Sequence, residues 1–89
     1  MKKKIFICSL CRGGILGGAL YLDENSVTYR TNKLTVDSRY RNLVLLRSEI
    51  KEISWMKYFP VATFRMKNGE NFTFLIFNKA RFNKSYQEQ

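Results

Sequence analysis

The segment from residue 61 to residue 77 carries the strongest constraint on the fold. Residues 61–67 alternate with a period of two and place Ala62, Phe64 and Met66 on one face, which is the pattern of a strand with one buried face. Residues 70–77 fit the partner strand, with Phe72, Phe74 and Ile76 on one face. The dipeptide Asn68-Gly69 separates them and predicts a type I′ turn, in which both residues have positive φ. The two segments therefore predict an antiparallel hairpin, whose apolar face other elements must cover.

Further strand patterns occur along most of the chain, separated by short turn-forming segments. They span residues 5–10, 15–22, 27–31 and 42–47. The second and third predict a hairpin around a turn at residues 23–26, and the fourth predicts a short buried strand. Inside the first strand of that hairpin, Gly17-Gly18 indicates either a bulge or a close approach of another backbone.

Three segments give other signals. Residues 32–41 are polar and basic, and predict a loop or an irregular strand extension. Residues 48–53 fit either one helical turn or the start of a strand that ends before Pro60, and the aromatic residues that follow favour the strand. Asn78 is placed to begin a short C-terminal helix, with Phe82 and Tyr86 four residues apart on one of its faces.

These elements predict one mainly β domain covering residues 1–89. With 89 residues, the chain is too short for a second domain, but 45 % hydrophobic residues suffice for a core. Six or seven short antiparallel strands can bury their apolar faces by curling into a partly open barrel. We expect the short C-terminal helix to close one end of that barrel.

Four parts of the sequence resemble, in the correct order, the conserved pattern of GRAM domains. Residues 18–22 (GALYL) and 27–30 (VTYR) are similar to the first hairpin of that family. Residues 46–53 (LRSEIKEI) resemble its next strand, and residues 64–74 (FRMKNGENFTF) resemble its last hairpin. The resemblance implies a pleckstrin-homology-like (PH-like) barrel and a non-catalytic role in binding lipid head groups or protein partners.

The composition argues against several classes of enzyme. The chain has no histidine, which excludes a Ser-His-Asp triad, a Cys-His pair and every zinc site with a histidine ligand. Seven acidic residues leave few candidates for general acid–base catalysis. We therefore expect a protein that is not an enzyme and has no cofactor.

Cys8 and Cys11 form a single Cys-x-x-Cys motif. A redox motif of this kind normally opens a helix, whereas here Arg12 and two glycines follow. A zinc site needs two more ligands, which would have to come from a second copy of the chain. We expect no metal site and two small, partly buried apolar side chains.

Basic residues outnumber acidic ones and give a net charge of +9. Arg30, Lys33, Arg39 and Arg41 cluster around the predicted loop, against Asp37 alone. Such a cluster can attract an anionic membrane surface, and we take these four residues as a candidate anion- or lipid-binding site. A solvated basic surface without a specific partner is the competing interpretation.

The aromatic residues Trp55, Tyr58 and Phe59 precede Pro60. Residues of this type before a proline fit a core segment that ends an edge strand, and this interpretation is the favoured one. The alternative is an exposed site for a protein partner or for a homodimer, either as a patch or through an open strand edge.

Two further expectations concern partners and location. We do not expect nucleic acid as a partner, because the basic residues are not interleaved with aromatic residues on one predicted sheet face. The basic start of the chain and the apolar residues 5–22 resemble a signal peptide or anchor, but Arg12 would cost about 2.5–3.5 kcal/mol in a bilayer. We therefore expect a cytoplasmic protein, either free or peripheral at the membrane.

Overall fold

The computed structural model describes residues 4–12, 14–33 and 36–88; Lys2 and Lys3 of the basic N-terminal run lie outside this part. It is mainly β, with seven antiparallel strands and a short C-terminal helix, which confirms the predicted fold class. The strands are β1 (Lys4–Cys11), β2 (Ile15–Leu22), β3 (Ser26–Arg30), β4 (Asn42–Leu46), β5 (Ile50–Trp55), β6 (Val61–Met66) and β7 (Asn71–Ile76). The helices are α1 (Ser38–Arg41) and α2 (Lys79–Glu88), and a 3-10 turn spans Arg47–Glu49.

The strands form one open sheet in the order β4-β3-β2-β1-β7-β6-β5. The central strand β1 pairs with β2 along its whole length and with β7 at Cys8, Ser9 and Leu10. It therefore joins the β2–β4 part of the sheet to the β5–β7 part. The strands at the two edges of the sheet are β4 and β5.

The core lies on the inner face of the sheet and is closed by α2. Phe82 of this helix is fully buried, with its ring centroid 5.1 Å from that of Phe6 and 6.2 Å from that of Phe64. Tyr86 stacks on Phe82 at 6.0 Å, as their spacing predicts. Asn78 is the N-cap of α2, because its side-chain oxygen accepts a hydrogen bond from the Arg81 backbone N–H at 3.3 Å.

At Gly18, β2 and β3 approach each other closely. A Cβ atom at this position would lie 2.5 Å from the backbone oxygen of Arg30 and 2.8 Å from the ring of Tyr29. The Tyr29 hydroxyl donates a hydrogen bond to the Leu16 carbonyl at 2.7 Å, which fixes the ring on the inner face. Of the two predicted alternatives, the glycine pair therefore allows a close approach of β3 to β2. It does not form a bulge, because the pairing of β1 with β2 continues past it in regular register.

The β6–β7 hairpin is confirmed, but the predicted type I′ turn is wrong. Gly69 has a φ of 93°, whereas Asn68 does not have a positive φ. The Gly69 N–H donates to the Met66 carbonyl at 3.0 Å, and the Met66 N–H donates to the Glu70 carbonyl at 2.8 Å. Residues 67–69 thus form a three-residue loop, in which only the last position requires the left-handed conformation that glycine favours.

The prediction that residues 42–47 form a buried strand is also wrong in part. Leu45 of β4 is buried, but Val44 and Leu46, which alternate with it on this edge strand, are about half exposed. Residues 32–41 contain the one-turn helix α1, which the sequence did not indicate. Residues 48–53 combine both alternatives, because a 3-10 turn leads directly into β5.

No helix within the described ranges is both long enough and apolar enough to cross a membrane. The apolar N-terminal residues instead form β1 and β2, joined by a short turn in which Gly14 has a φ of 149°.

The close approach at Gly18 predicts that the two neighbouring glycines differ in their tolerance of alanine. Neither has a positive φ, so the effect depends on the space around Cβ. Gly18→Ala should lower the free energy of unfolding by about 1–3 kcal/mol, because rigid backbone and ring atoms must move. Gly17→Ala meets the flexible end of the Lys33 side chain and, at an ordinary contact distance of 4.0 Å, Ser9 Oγ, so it should change stability by less than about 1 kcal/mol.

Urea unfolding followed by circular dichroism measures both values. Equal losses of stability in Gly18→Ala and Gly17→Ala would contradict the close approach of β3 to β2.

Candidate functional site: a basic cleft on the outer face of the sheet

Three of the four predicted basic residues converge on one cleft. Arg30, Lys33 and Arg41 line a hollow of about 670 Å³ at the end of the sheet where the β3–β4 connection leaves it. The remaining lining residues are Gly17, Gly18, Ala19, Tyr21, Thr31, Asn32 and Asn42. None of these lining residues is acidic, so the cleft carries a local excess of positive charge.

Strand alternation directs Arg30 toward the cleft. Val27 and Tyr29 of β3 face the core, so Thr28 and Arg30 face outward. Arg30 lies opposite Ala19 of β2, and its guanidinium carbon lies 5.8 Å from the ring centroid of Tyr21. The aromatic ring therefore supports an exposed cation at the rim of the cleft.

Val36 anchors the connection that supplies the other two basic residues. Its side chain is buried, and its carbonyl accepts a hydrogen bond from Arg41 Nε at 2.8 Å. The Val36 N–H donates to the Lys33 carbonyl at 3.2 Å, and the Thr31 N–H donates to the Arg41 carbonyl at 3.0 Å. These bonds hold both ends of the connection close to β3.

Gly17 provides the space in which the Lys33 side chain lies. The position that a Cβ atom of residue 17 would occupy is 3.3 Å from Lys33 Nζ and 4.0 Å from Ser9 Oγ. Because Gly17 has no side chain, the ammonium group can lie against the sheet surface. Gly17, Tyr21 and Val36 were not predicted as site residues, because their roles depend on strand pairing and on the path of the connection.

Arg39, the fourth predicted residue, does not line the cleft. It forms an ion pair with Asp37, with 3.4 Å between Nε and Oδ1, and its guanidinium carbon lies 5.0 Å from the Tyr40 ring centroid. Asp37 begins α1 by accepting a hydrogen bond from the Arg39 backbone N–H at 3.0 Å. This bond, together with the nearby Arg39 and Arg41 charges, lowers the pKa of the Asp37 carboxyl group.

The predicted protein-contact residues divide into two groups. Trp55 is half-buried, and its ring centroid lies 6.1 Å from that of Phe82. Tyr58 is 80 % exposed and Phe59 is 59 % exposed, so the favoured prediction of a core segment is wrong for these two residues. They lie between β5 and β6, in a connection that ends at Pro60.

The two cysteines point to opposite faces of β1, because they are three residues apart on a strand. Cys8 is buried in the core, whereas Cys11 is partly exposed, and both are free thiols. Burial raises the pKa of the Cys8 thiol to about 12. Within the part of the chain that the structure describes, no group of three or more metal-ligating side chains comes together.

Comparisons with known proteins give the fold but no function. No family model matches the sequence, and no curated protein is similar enough to count as a relative. Among solved structures, the crystal structure of the C-terminal domain of an unknown protein from Leishmania infantum is similar, with a TM-score of 0.77 and 12 % identity. The similarity covers 97 % of this chain and 80 % of that chain.

The placement of the cysteines predicts a difference in their reactivity. In the folded protein at mildly alkaline pH, a disulfide reagent such as DTNB should modify Cys11 but not Cys8, whose buried thiol stays protonated. The Cys11→Ser variant should therefore release almost no thionitrobenzoate when folded and one equivalent in urea. Fast modification of folded Cys11→Ser would contradict the burial of Cys8.

Proposed function

We propose that the protein is a non-catalytic binding module of GRAM or PH-like type that associates with anionic lipid surfaces through the basic cleft. The observation that carries this proposal is the convergence of Arg30, Lys33 and Arg41 on one hollow with no acidic lining residue. The protein then acts in the cytoplasm as a peripheral component of the membrane.

The cleft chemistry suits phosphate groups. Arginine presents a planar set of N–H donors to phosphate oxygens, and lysine adds a compact charge. The side chains of Thr31, Asn32 and Asn42 add neutral hydrogen-bonding groups to the lining. Each basic residue near an anionic leaflet contributes about 1 kcal/mol, and salt screens this attraction over about 8 Å at physiological ionic strength.

The double variant R30Q/K33Q tests the cleft directly. Removing two charges should reduce partitioning onto vesicles that contain phosphatidylserine by about 2 kcal/mol, or about thirtyfold, at low ionic strength. Vesicle co-sedimentation measures the partition coefficient, and pure phosphatidylcholine vesicles give the background.

R39Q/K67Q is the matched control, because it removes the same charge from exposed residues outside the cleft. It should lose much less affinity than R30Q/K33Q. Equal losses in the two variants would show that net charge, not the cleft, determines binding. Equal binding of the unmodified protein to neutral and anionic vesicles would contradict the proposal altogether.

The exposure of Tyr58 and Phe59 supports a second candidate function, binding of a protein partner or of a second copy. Trp55 lies close by, in a groove of about 450 Å³ between β5 and α2. Because β5 is an edge strand, this side of the sheet is also where a partner strand could add to the sheet.

If this connection mediates self-association, sedimentation velocity should show a concentration-dependent dimer of the unmodified protein. Tyr58→Ser and Phe59→Ser together should then shift the equilibrium to the monomer without unfolding, since both side chains are exposed. A monomer at all concentrations would exclude the homodimer form of this hypothesis.

A further inference from the structure

An apolar strip lies beside the basic cleft on the outer face of the sheet. Strand pairing places Arg30, Ala19 and Ile7 side by side on β3, β2 and β1. The Phe77 N–H donates to the Ile7 carbonyl at 3.1 Å, which puts Phe77 next in the same row. Ile7 is 64 % exposed and Phe77 is 49 % exposed.

The neighbouring row extends the strip. Ile5 of β1 is half exposed and pairs with Tyr21 of β2, whose ring lies under the Arg30 guanidinium. Arg81 of α2 donates a hydrogen bond to the Ile5 carbonyl at 3.2 Å, and its guanidinium carbon lies 4.3 Å from the ring centroid of the buried Phe6, on the α2 side of β1. The apolar side chains thus lie next to the Arg30 cation of the cleft, and no acidic residue occupies these row positions.

We propose that Ile5, Ile7 and Phe77, which we call the outer strip, enter the interface of an anionic leaflet while the cleft holds lipid phosphates at its surface. This inference rests on the proposed function and adds the orientation of the bound protein. The outer face of β1 then lies against the membrane, and α2 with its buried Phe82 lies on the opposite side of the sheet.

Charge complementarity favours a leaflet over a second copy as the occupant of the strip. Two copies packed through this face would bring two basic clefts together, in a protein with a net charge of +9. An anionic leaflet supplies the opposite charge and, below it, an apolar layer. Interfacial binding strengthens with the apolar area that is buried and with electrostatic attraction to anionic lipids, and a basic cleft next to apolar side chains supplies both.

Quenching of tryptophan fluorescence at one position of the strip measures whether the strip enters the membrane. Phe77→Trp adds an indole at the strip, and lipids with brominated acyl chains should quench its fluorescence in phosphatidylserine-containing vesicles. The unmodified protein gives the background from Trp55, which is half-buried on β5 and is not part of the strip.

Partitioning of truncated variants gives a second readout. Ile7→Ser and Phe77→Ala should each weaken vesicle binding about tenfold, and this loss should persist at high salt because it is apolar in origin. Leu46→Ala is the matched control and should bind like the unmodified protein. Leu46 is 49 % exposed, as Phe77 is, but it is not part of the outer strip. It lies on β4 opposite Ser26, whose hydroxyl contacts the Asp23 carboxylate, so an acidic group lies close to this position.

The outcomes separate this inference from the proposed function. The inference would be overturned, and the cleft function left intact, if vesicle binding is salt-sensitive and requires Arg30 and Lys33 but the strip takes no part in it. In that case the fluorescence of Phe77→Trp is not quenched, and Ile7→Ser binds vesicles as strongly as the unmodified protein. Absence of binding to anionic vesicles would overturn both. A dimer that Ile7→Ser dissociates would overturn the inference, because a second copy would then cover the strip.

Discussion

Residues 17 and 18 are glycines, and their lack of side chains allows β3 and the connection after it to pack closely against β2. The packing on both faces of the sheet depends on this. On the inner face, the Tyr29 ring occupies the space that a side chain at Gly18 would fill. On the outer face, Lys33 lies over Gly17. Because consecutive residues of a strand point to opposite faces of the sheet, Gly18 makes room for the core and Gly17 makes room for the cleft.

Not all of the positive charge is available to a ligand. Arg12 donates hydrogen bonds to the Tyr40 hydroxyl at 3.2 Å and to the Asn71 carbonyl at 2.6 Å. Arg47 donates to the Tyr86 carbonyl at 3.0 Å, and its guanidinium carbon lies 4.1 Å from the ring centroid of that residue. These arginines join distant elements, so a net charge of +9 overstates the charge that an anion can reach.

The sequence predicts the elements of the fold better than the details of the site. Period-two alternation identified strands with one buried face, such as β6 with Ala62, Phe64 and Met66. The strand at residues 42–47 was instead predicted from a continuous apolar run, which gave no sign that its outer face is half exposed. Whether Arg39 joins the cleft depends on the Asp37 cap and on the direction of α1, which the alternation does not encode. The outer strip was missed because Ile7 and Phe77 become neighbours only through the long-range pairing of β1 with β7.

The proposed function depends on Arg30, Lys33 and Arg41 acting together as one anion site on the outer face. Amide chemical shifts during a titration with glycerophosphoserine, a soluble form of the lipid head group, test it most directly. The largest shifts should occur at Gly17, Ala19 and Thr31, and they should be lost in R30Q/K33Q. Shifts centred on other basic segments, such as Arg65 and Lys67, would contradict it.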